Sequence, residues 1–298
     1  MRFGLVGTGP WAGLTHGPGL AHAEGIDLVG VWGRRSHEAA RLAGALGATA
    51  YHDYPTMLAD IDAVAFAVPP DVQAVLAHQA ACAGKHLLLD KPVATDVVAA
   101  HSLADAVEAH AVASVVFFTD RFVDVSRAWF AQVRRTGGWL GGWTRWLSAL
   151  QDPENPFGAS PWRRERGALW DIGPHALSTL STALGPVEFV VAVAGAGDLV
   201  TLTLRHSSEA TSTATLSLFA PPAVESYETT LWGQHGFTVM PPRPEDSYAD
   251  LLANAAQELV AAANSGQRHE VDVTFGVRIV ELLADAQAQV DRQRNGSS

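Results

Sequence analysis

The sequence has a single cysteine in 298 residues, no run of basic side chains longer than a pair, and no uninterrupted apolar stretch long enough to cross a bilayer. Each scarcity excludes something. The lone thiol, Cys82, cannot close an internal disulfide, which fits a reducing compartment. It lies in an alanine-rich helical stretch and reads as a small buried core residue rather than a nucleophile. The formal net charge is −11, and the only local basic cluster is Arg163, Arg164 and Arg166. That balance repels a phosphate backbone and argues against nucleic acid as a partner. Gly, Pro or charge interrupts every apolar run, so no membrane span is expected. The chain opens Met-Arg-Phe-Gly-Leu-Val-Gly and enters a strand at once, with no signal-peptide pattern. None of the twelve histidines has zinc-ligand spacing, so no metal is expected. The expectation is a cytoplasmic protein without nucleic-acid, membrane or metal partners.

What is present is apolar. Apolar residues make up 48% of the chain and charged residues 17%, a balance that favours a well-filled core over disorder. The length suits two modest domains.

Strand and helix signals alternate through the first 120 residues. Apolar runs stand at Phe3–Val6, Asp27–Trp32, Ala63–Val68, His86–Leu89 and Ser114–Phe118. Helical patterns stand at Ser36–Leu46, Val72–Ala83 and Asp96–His110. Continuous apolar strands separated by helices imply a doubly wound parallel sheet covered on both faces. After Arg121 the rhythm changes. Val125–Arg135 and Ala168–Leu184 read as helices. Strand-like runs follow at Val187–Ala194, Leu199–Arg205, Thr211–Leu218 and Tyr227–Trp232, and helices near Ala249–Ala263 and Val273–Val290 close the chain. Consecutive strands with short turns predict an antiparallel sheet. The predicted fold is α/β: a Rossmann domain over 1–120 and a C-terminal α+β domain over 121–298 with a large, mostly antiparallel sheet. The tail Asn295-Gly296-Ser297-Ser298 reads as frayed.

Gly7-Thr8-Gly9-Pro10-Trp11-Ala12 follows the first strand. This is G-x-G-x-x-A, a dinucleotide-binding turn when it joins a strand to a helix. Gly7 permits the tight turn, Gly9 lets a pyrophosphate approach the backbone, and Ala12 keeps the helix close to the strand. The helix N-terminus presents free N–H groups to the phosphates. An acidic residue at the end of the second strand would bind the ribose 2′-OH of NAD. Here Gly33-Arg34-Arg35-Ser36 stands in that place, which suits the 2′-phosphate of NADP. NADP is therefore the preferred cofactor, with NAD the alternative.

Two further features carry chemistry. Asp90-Lys91-Pro92 ends the strand read over His86–Leu89, at a sheet edge that faces ligand in doubly wound folds. A lysine there can reach a substrate, and Pro92 can fix it through a constrained, even cis, peptide. Asp171 and His175 lie four apart on a helical pattern that contains Pro174, so they share a helix face unless the helix kinks or restarts there. Histidine suits proton transfer near neutral pH. Trp162 and Trp170 flank this segment and read as core, and His16 reads as structural or as a cofactor-side contact.

With these pieces together, the sequence resembles the glucose–fructose oxidoreductase / inositol dehydrogenase / MocA (Gfo/Idh/MocA) family. The matching residues are Gly7-Thr8-Gly9, His16, Pro18, Val68-Pro69-Pro70, Ala83-Gly84-Lys85-His86, Asp90-Lys91-Pro92, Arg121-Phe122, Trp162-Arg163 and the Asp171/His175 segment. The resemblance implies hydride transfer between a nicotinamide and a carbinol or carbonyl carbon of a sugar, polyol or related small molecule. It assigns Lys91, Asp171 and His175 to catalysis. It implies cofactor contacts from Gly7–Ala12, Gly33–Ser36, Val68–Pro70 and Asp90–Pro92, and a homo-oligomer, dimer or tetramer, formed through the C-terminal sheet. The sequence departs from the family pattern at Asp90, where Glu is usual, at Arg166, where Gly is common, and at Gln73, where His is frequent. Two other functions remain open: a non-catalytic dinucleotide-binding regulator, and a lyase or hydrolase that oxidises its substrate only transiently.

Overall fold

A computed structural model describes residues 1–150, 161–244 and 247–296. Ser297 and Ser298, in the tail read as frayed, lie outside the described residues. The chain forms two compact units, Met1–Phe122 with Glu245–Val280, and Val123–Pro244 with Glu281–Ser298. The stretch after residue 120 thus contributes to both.

The first unit is built on six parallel strands: β1 (Arg2–Val6), β2 (Asp27–Trp32), β3 (Thr49–Ala50), β4 (Ala63–Phe66), β5 (His86–Asp90) and β6 (Ser114–Phe117). Their spatial order is β3-β2-β1-β4-β5-β6. Every residue of β4 and β6 is buried, as strands covered on both faces require. The helices are α1 (Gly17–His22), α2 (Ser36–Leu46), α3 (Tyr54–Asp60), α4 (Pro70–Cys82) and α5 (Val97–Ala109). Capping residues place several of these starts. Asp53 accepts from the Thr56 N–H at 2.9 Å, and Asp96 accepts from the Ala99 N–H at 2.8 Å. Helix α9 (Tyr248–Ser265), from much later in the chain, belongs to the same unit. The outer edge of β6 is also occupied, because the Val116 N–H donates to the Val271 carbonyl at 2.8 Å.

The helix after β1 opens as a π-helical turn over Ala12–His16, with the Gly17 N–H donating to the Ala12 carbonyl. Pro18 explains this widening. It has no N–H to give and its ring would crowd an α-helical carbonyl one turn earlier. Cys82 departs from expectation. It is exposed on the last residue of α4, while Ala77, Ala80 and Ala81 form that helix's buried face.

The second unit holds α6 (Asp124–Thr136), β7 (Trp139–Leu147), α7 (Pro161–Asp171), α8 (Gly173–Leu184), β8 (Val187–Ala194), β9 (Val200–His206), β10 (Thr211–Ser217), β11 (Ser226–Gly233) and β12 (Gly236–Val239), and takes in most of α10 (Val273–Gly296). The strand order is β12-β11-β7-β10-β9-β8, and every pairing is antiparallel except β10 with β7. Helices α6 and α8 lie in this unit with the sheet, and Leu202, Leu204, Ala214, Leu216 and Leu231 are buried on one face. The opposite face stays open. Phe189, Val191 and Val193 on β8 and Phe237 and Val239 on β12 are exposed, and cross-strand pairing sets Trp143, Trp232 and a run of threonines in the same rows.

The free edge of β8 is closed by side chains. The Gln289 carboxamide accepts from the Ala192 N–H and donates to the Val190 carbonyl, both at 2.9 Å. Gln293 repeats this one turn later, accepting from Ala194 and donating to Ala192. Two glutamines on α10 thus imitate the neighbouring strand that β8 lacks. His206 is wholly buried and bonded to the Gly185 carbonyl and the Ser212 hydroxyl. Burial pushes its imidazole below the usual histidine range.

Candidate functional site

Strand β1 lies between β2 and β4, and its C-terminal end is where the strand order reverses direction. Loops leaving neighbouring strands part there and open a crevice. The Gly7 N–H donates to the Trp32 carbonyl at 2.9 Å, and the Ala67 N–H donates to the Val6 carbonyl at 2.8 Å. Gly7 has φ +129°, and a Cβ on it would sit 2.3 Å from the Ala67 carbonyl oxygen. No other residue fits without moving the backbone. Gly9 differs: a Cβ there would meet nothing within 4 Å and would project into open space over the turn. Ala12 is fully buried against the sheet. The turn therefore provides a strained glycine, an uncovered glycine and a helix start, the donor set that suits a pyrophosphate. Thr8 packs under the end of β2, where a Cβ on Gly33 would approach it to 2.7 Å. Arg34, Arg35 and Ser36 follow, exposed, at the start of α2. Val68 and Pro69 leave the end of β4, and Pro70 opens α4.

Asp90, Lys91 and Pro92 leave β5 at the same sheet edge, and the Lys91–Pro92 peptide is cis. Asp90 ties this turn to the glycine turn. Its Oδ2 accepts from the Trp11 indole N–H at 2.6 Å, and its Oδ1 accepts from the Lys91 N–H at 2.7 Å. His16 is wholly buried, with a ring nitrogen 3.7 Å from the same carboxylate. Burial holds His16 below the usual histidine range, against the pull of Asp90. The neutral ring packs edge-on to Trp11 and Phe117, which is a structural role. Lys91 is one of only two lysines in the chain, with Lys85, and both are half-buried.

The remaining candidates lie in the second unit. Asp171 and His175 do not share one helix. Asp171 ends α7, Ile172 turns, and His175 is in the first turn of α8, with Pro174 at that helix's start. Proline is tolerated there because no intrahelical N–H is needed. Gly167, at φ +64°, breaks α7 as well. Asp171 is buried and its Oδ2 accepts from Arg163 Nε at 2.7 Å. His175 is buried with its ring 5.4 Å from that of Trp146, which in turn lies 4.3 Å from Tyr227. Trp170 is core, and its indole N–H donates to Gln287 at 3.0 Å. Trp162 is half-buried.

The sequence-predicted cofactor residues thus meet at one edge of the parallel sheet, with Lys91 among them. Asp171 and His175 lie in the other unit, the first held by Arg163 and the second packed on Trp146. Three participants escaped sequence reasoning: Gln73, whose carboxamide bonds the Asp90 main chain, Arg163 on Asp171, and Trp146 beside His175. Gln73 had a signal in its departure from the family pattern and Arg163 in the Trp162-Arg163 match, while Trp146 had none. Among the described residues, no group of three His, Cys, Asp or Glu side chains could hold a metal ion, and no helix is long and apolar enough to cross a membrane.

Residues 1–118 match the family model described as "Oxidoreductase family, NAD-binding Rossmann fold" (GFO_IDH_MocA). Over those residues the chain is similar to the Gfo/Idh/MocA oxidoreductase family. An uncharacterized oxidoreductase of Rhizobium meliloti is 36% identical over 108 residues, 35% of this chain and 32% of that protein. A dTDP-3,4-didehydro-2,6-dideoxy-alpha-D-glucose 3-reductase of Streptomyces antibioticus is 28% identical over 192 residues, 62% of this chain and 57% of that one. These matches span a third to just over half of the curated relatives' lengths. A levoglucosan dehydrogenase solved with NADH and L-sorbose shares the fold across both units, with a TM-score of 0.86 at 18% identity, over 98% of this chain and 97% of that one.

The glycine geometry makes a prediction. Gly9→Ala fills open space, so the thermal midpoint should stay within about 2 °C of wild type, while affinity for a nicotinamide dinucleotide falls by about tenfold or more. Calorimetric titration beside a thermal melt checks both. Undiminished affinity would remove Gly9 from the binding surface.

Proposed function

We propose that this chain is an NAD(P)-dependent oxidoreductase that transfers hydride between nicotinamide and a carbinol or carbonyl carbon of a sugar, polyol or related small molecule. The observation that carries the reading is the meeting of Gly7–Ala12, Gly33–Ser36, Val68–Pro70 and Asp90–Pro92 at the edge where β1 and β4 part. The named reductase and dehydrogenase relatives support the substrate class.

The dinucleotide, when bound, supplies the hydride acceptor or donor. The chain's residues do the rest. The main chain of Gly7–Ala12 receives the pyrophosphate, and Arg34, Arg35 and Ser36 receive the adenosine ribose. The pair of guanidiniums and the missing acidic side chain favour NADP over NAD. Lys91 donates a hydrogen bond to the reacting oxygen and stabilises negative charge that develops there. His175 takes the carbinol proton in oxidation and returns it in reduction. Asp171, oriented by Arg163, accepts a hydrogen bond from a substrate hydroxyl or holds His175. The lone, unbridged cysteine fits a cytoplasmic setting. The open face of the second sheet is the surface for a second copy, giving a dimer or tetramer. Its exposed Phe237 and Val191 supply the apolar area such an interface needs.

Fluorescence titration should show NADP(H) binding about tenfold or more tighter than NAD(H), a preference lost in Arg34→Ala. Tighter NAD(H) binding would refute the reading of Arg34–Ser36. Lys91→Ala should lower NAD(P)-linked turnover of a sugar or polyol by about a hundredfold or more, with cofactor affinity nearly intact. Wild-type turnover in that variant would remove Lys91 from the chemistry. Light scattering should find a dimer or larger that Phe237→Asp dissociates, and a wild-type monomer would end the interface reading.

A further inference from the structure

We infer that Gln73 is a positioning residue for Lys91. This rests on the reading of Lys91 as the group that meets the reacting oxygen beside the nicotinamide.

Strand β5 is longer than its neighbour on one side. Its pairing with β4 ends at Ala65 opposite Leu88, while its pairing with β6 continues to Asp90 opposite Phe117. The main-chain groups of Asp90 on the β4 side therefore have no strand to meet. Gln73 meets them. It is 1% exposed and lies one turn into α4, the helix that follows β4. Its Oε1 accepts from the Asp90 N–H at 2.8 Å, and its Nε2 donates to the Asp90 carbonyl at 2.8 Å. The same Nε2 lies 3.2 Å from the Pro92 carbonyl and 3.4 Å from the Val93 carbonyl. One carboxamide thus holds the main chain on both sides of Lys91. The Asp90 carboxylate is held separately by Trp11 and by the Lys91 N–H.

The requirement is chemically narrow. The site needs an acceptor and a donor on one planar group, which a carboxamide supplies and a hydrocarbon does not. Gln289 and Gln293 use the same pairing along β8 in the second unit. There it closes an edge. At β5 it closes the overhang that carries Lys91, so the backbone under the ammonium is fixed before any ligand arrives. Preorganised donors of this kind avoid reorganisation at the moment of reaction.

Lysine scarcity makes the test direct. Amine acylation can mark only Met1, Lys85 and Lys91, and Lys85, which donates to the Ile61 carbonyl at 2.8 Å, is an internal reference. The acetylation rate of Lys91 relative to Lys85 is measured by peptide mass spectrometry with and without saturating NADP⁺ or NAD⁺, beside calorimetric titration of the same samples. In wild type the dinucleotide should slow Lys91 labelling by about tenfold. In Gln73→Leu the affinity should stay within about threefold, while protection drops below about twofold. Gln73→Glu, of the same shape but without the donor when ionised, should lose protection likewise, which covers the case in which Gln73→Leu does not fold. A purely supporting role would lower the melting temperature and leave the Lys91-to-Lys85 ratio unmoved. Full protection in either variant at full binding overturns the inference and leaves the proposed function standing. Loss of dinucleotide binding in both variants also overturns it, and makes Gln73 a general support. A wild-type protein that binds neither dinucleotide, or binds one without protecting Lys91, overturns the reading on which the inference rests.

Discussion

A peptide group removed from water must find a hydrogen-bond partner, and much of this structure follows from how strand ends meet that demand. Wherever one strand outruns its neighbour, N–H and C=O groups are left over. At β5 a glutamine carboxamide from the preceding helix takes them up, and along β8 two glutamines from α10 do so. At β1 the chain solves the problem differently. It gives its last groups to Trp32 and Ala67 and turns away at once through Gly7, in a space where even a Cβ would strike the Ala67 carbonyl. The helix that starts beyond has N–H groups with no partner inside the helix, and those are what an anion can use.

The ends of β1, β2, β4 and β5 are held together by these solutions and by one side-chain link, the Trp11 indole on the Asp90 carboxylate. That link makes the glycine turn and the lysine turn neighbours through a hydrogen bond rather than through sheet order alone. It also gives Asp90 a role that its length allows: one oxygen for Trp11 and the other for its own following N–H. In the second unit the logic is separate. A buried carboxylate paired with Arg163 stands close in sequence to a histidine packed on Trp146, where two short helices adjoin.

Much of the first unit was legible because its signals are local. Ser36–Leu46 is a helix over the predicted residues, and the apolar runs at Phe3, Asp27, Ala63, His86 and Ser114 are all strands of one parallel sheet. The glycine turn was legible for the same reason. What escaped depends on distant partners. Strand β7, which contains Gly141 and Gly142, was not read as a strand. In the sheet they make room for Trp232 and Leu231, since a Cβ on either would lie about 2.5–2.6 Å from those side chains. The single helix expected over Ala168–Leu184 is two, because Ile172 turns the chain and Pro174 starts it again. Cys82 was expected to be buried from its alanine neighbours, but its position on the last turn of α4 points it outward. Gln73 and Arg163 could not be assigned partners from spacing, since Asp90 is 17 residues away from the first and the second must reach back across the break at Gly167.

The central claim is that the edge formed by the ends of β1, β2, β4 and β5 receives a nicotinamide dinucleotide with its reactive ring towards Lys91. A crystal structure grown with saturating NADP⁺ tests it most directly. The account predicts the pyrophosphate over Gly9 and the start of the π-helical turn, the 2′-phosphate among Arg34, Arg35 and Ser36, and the nicotinamide beside Lys91. A dinucleotide bound elsewhere, or reversed so that its adenine lies at Lys91, would contradict it.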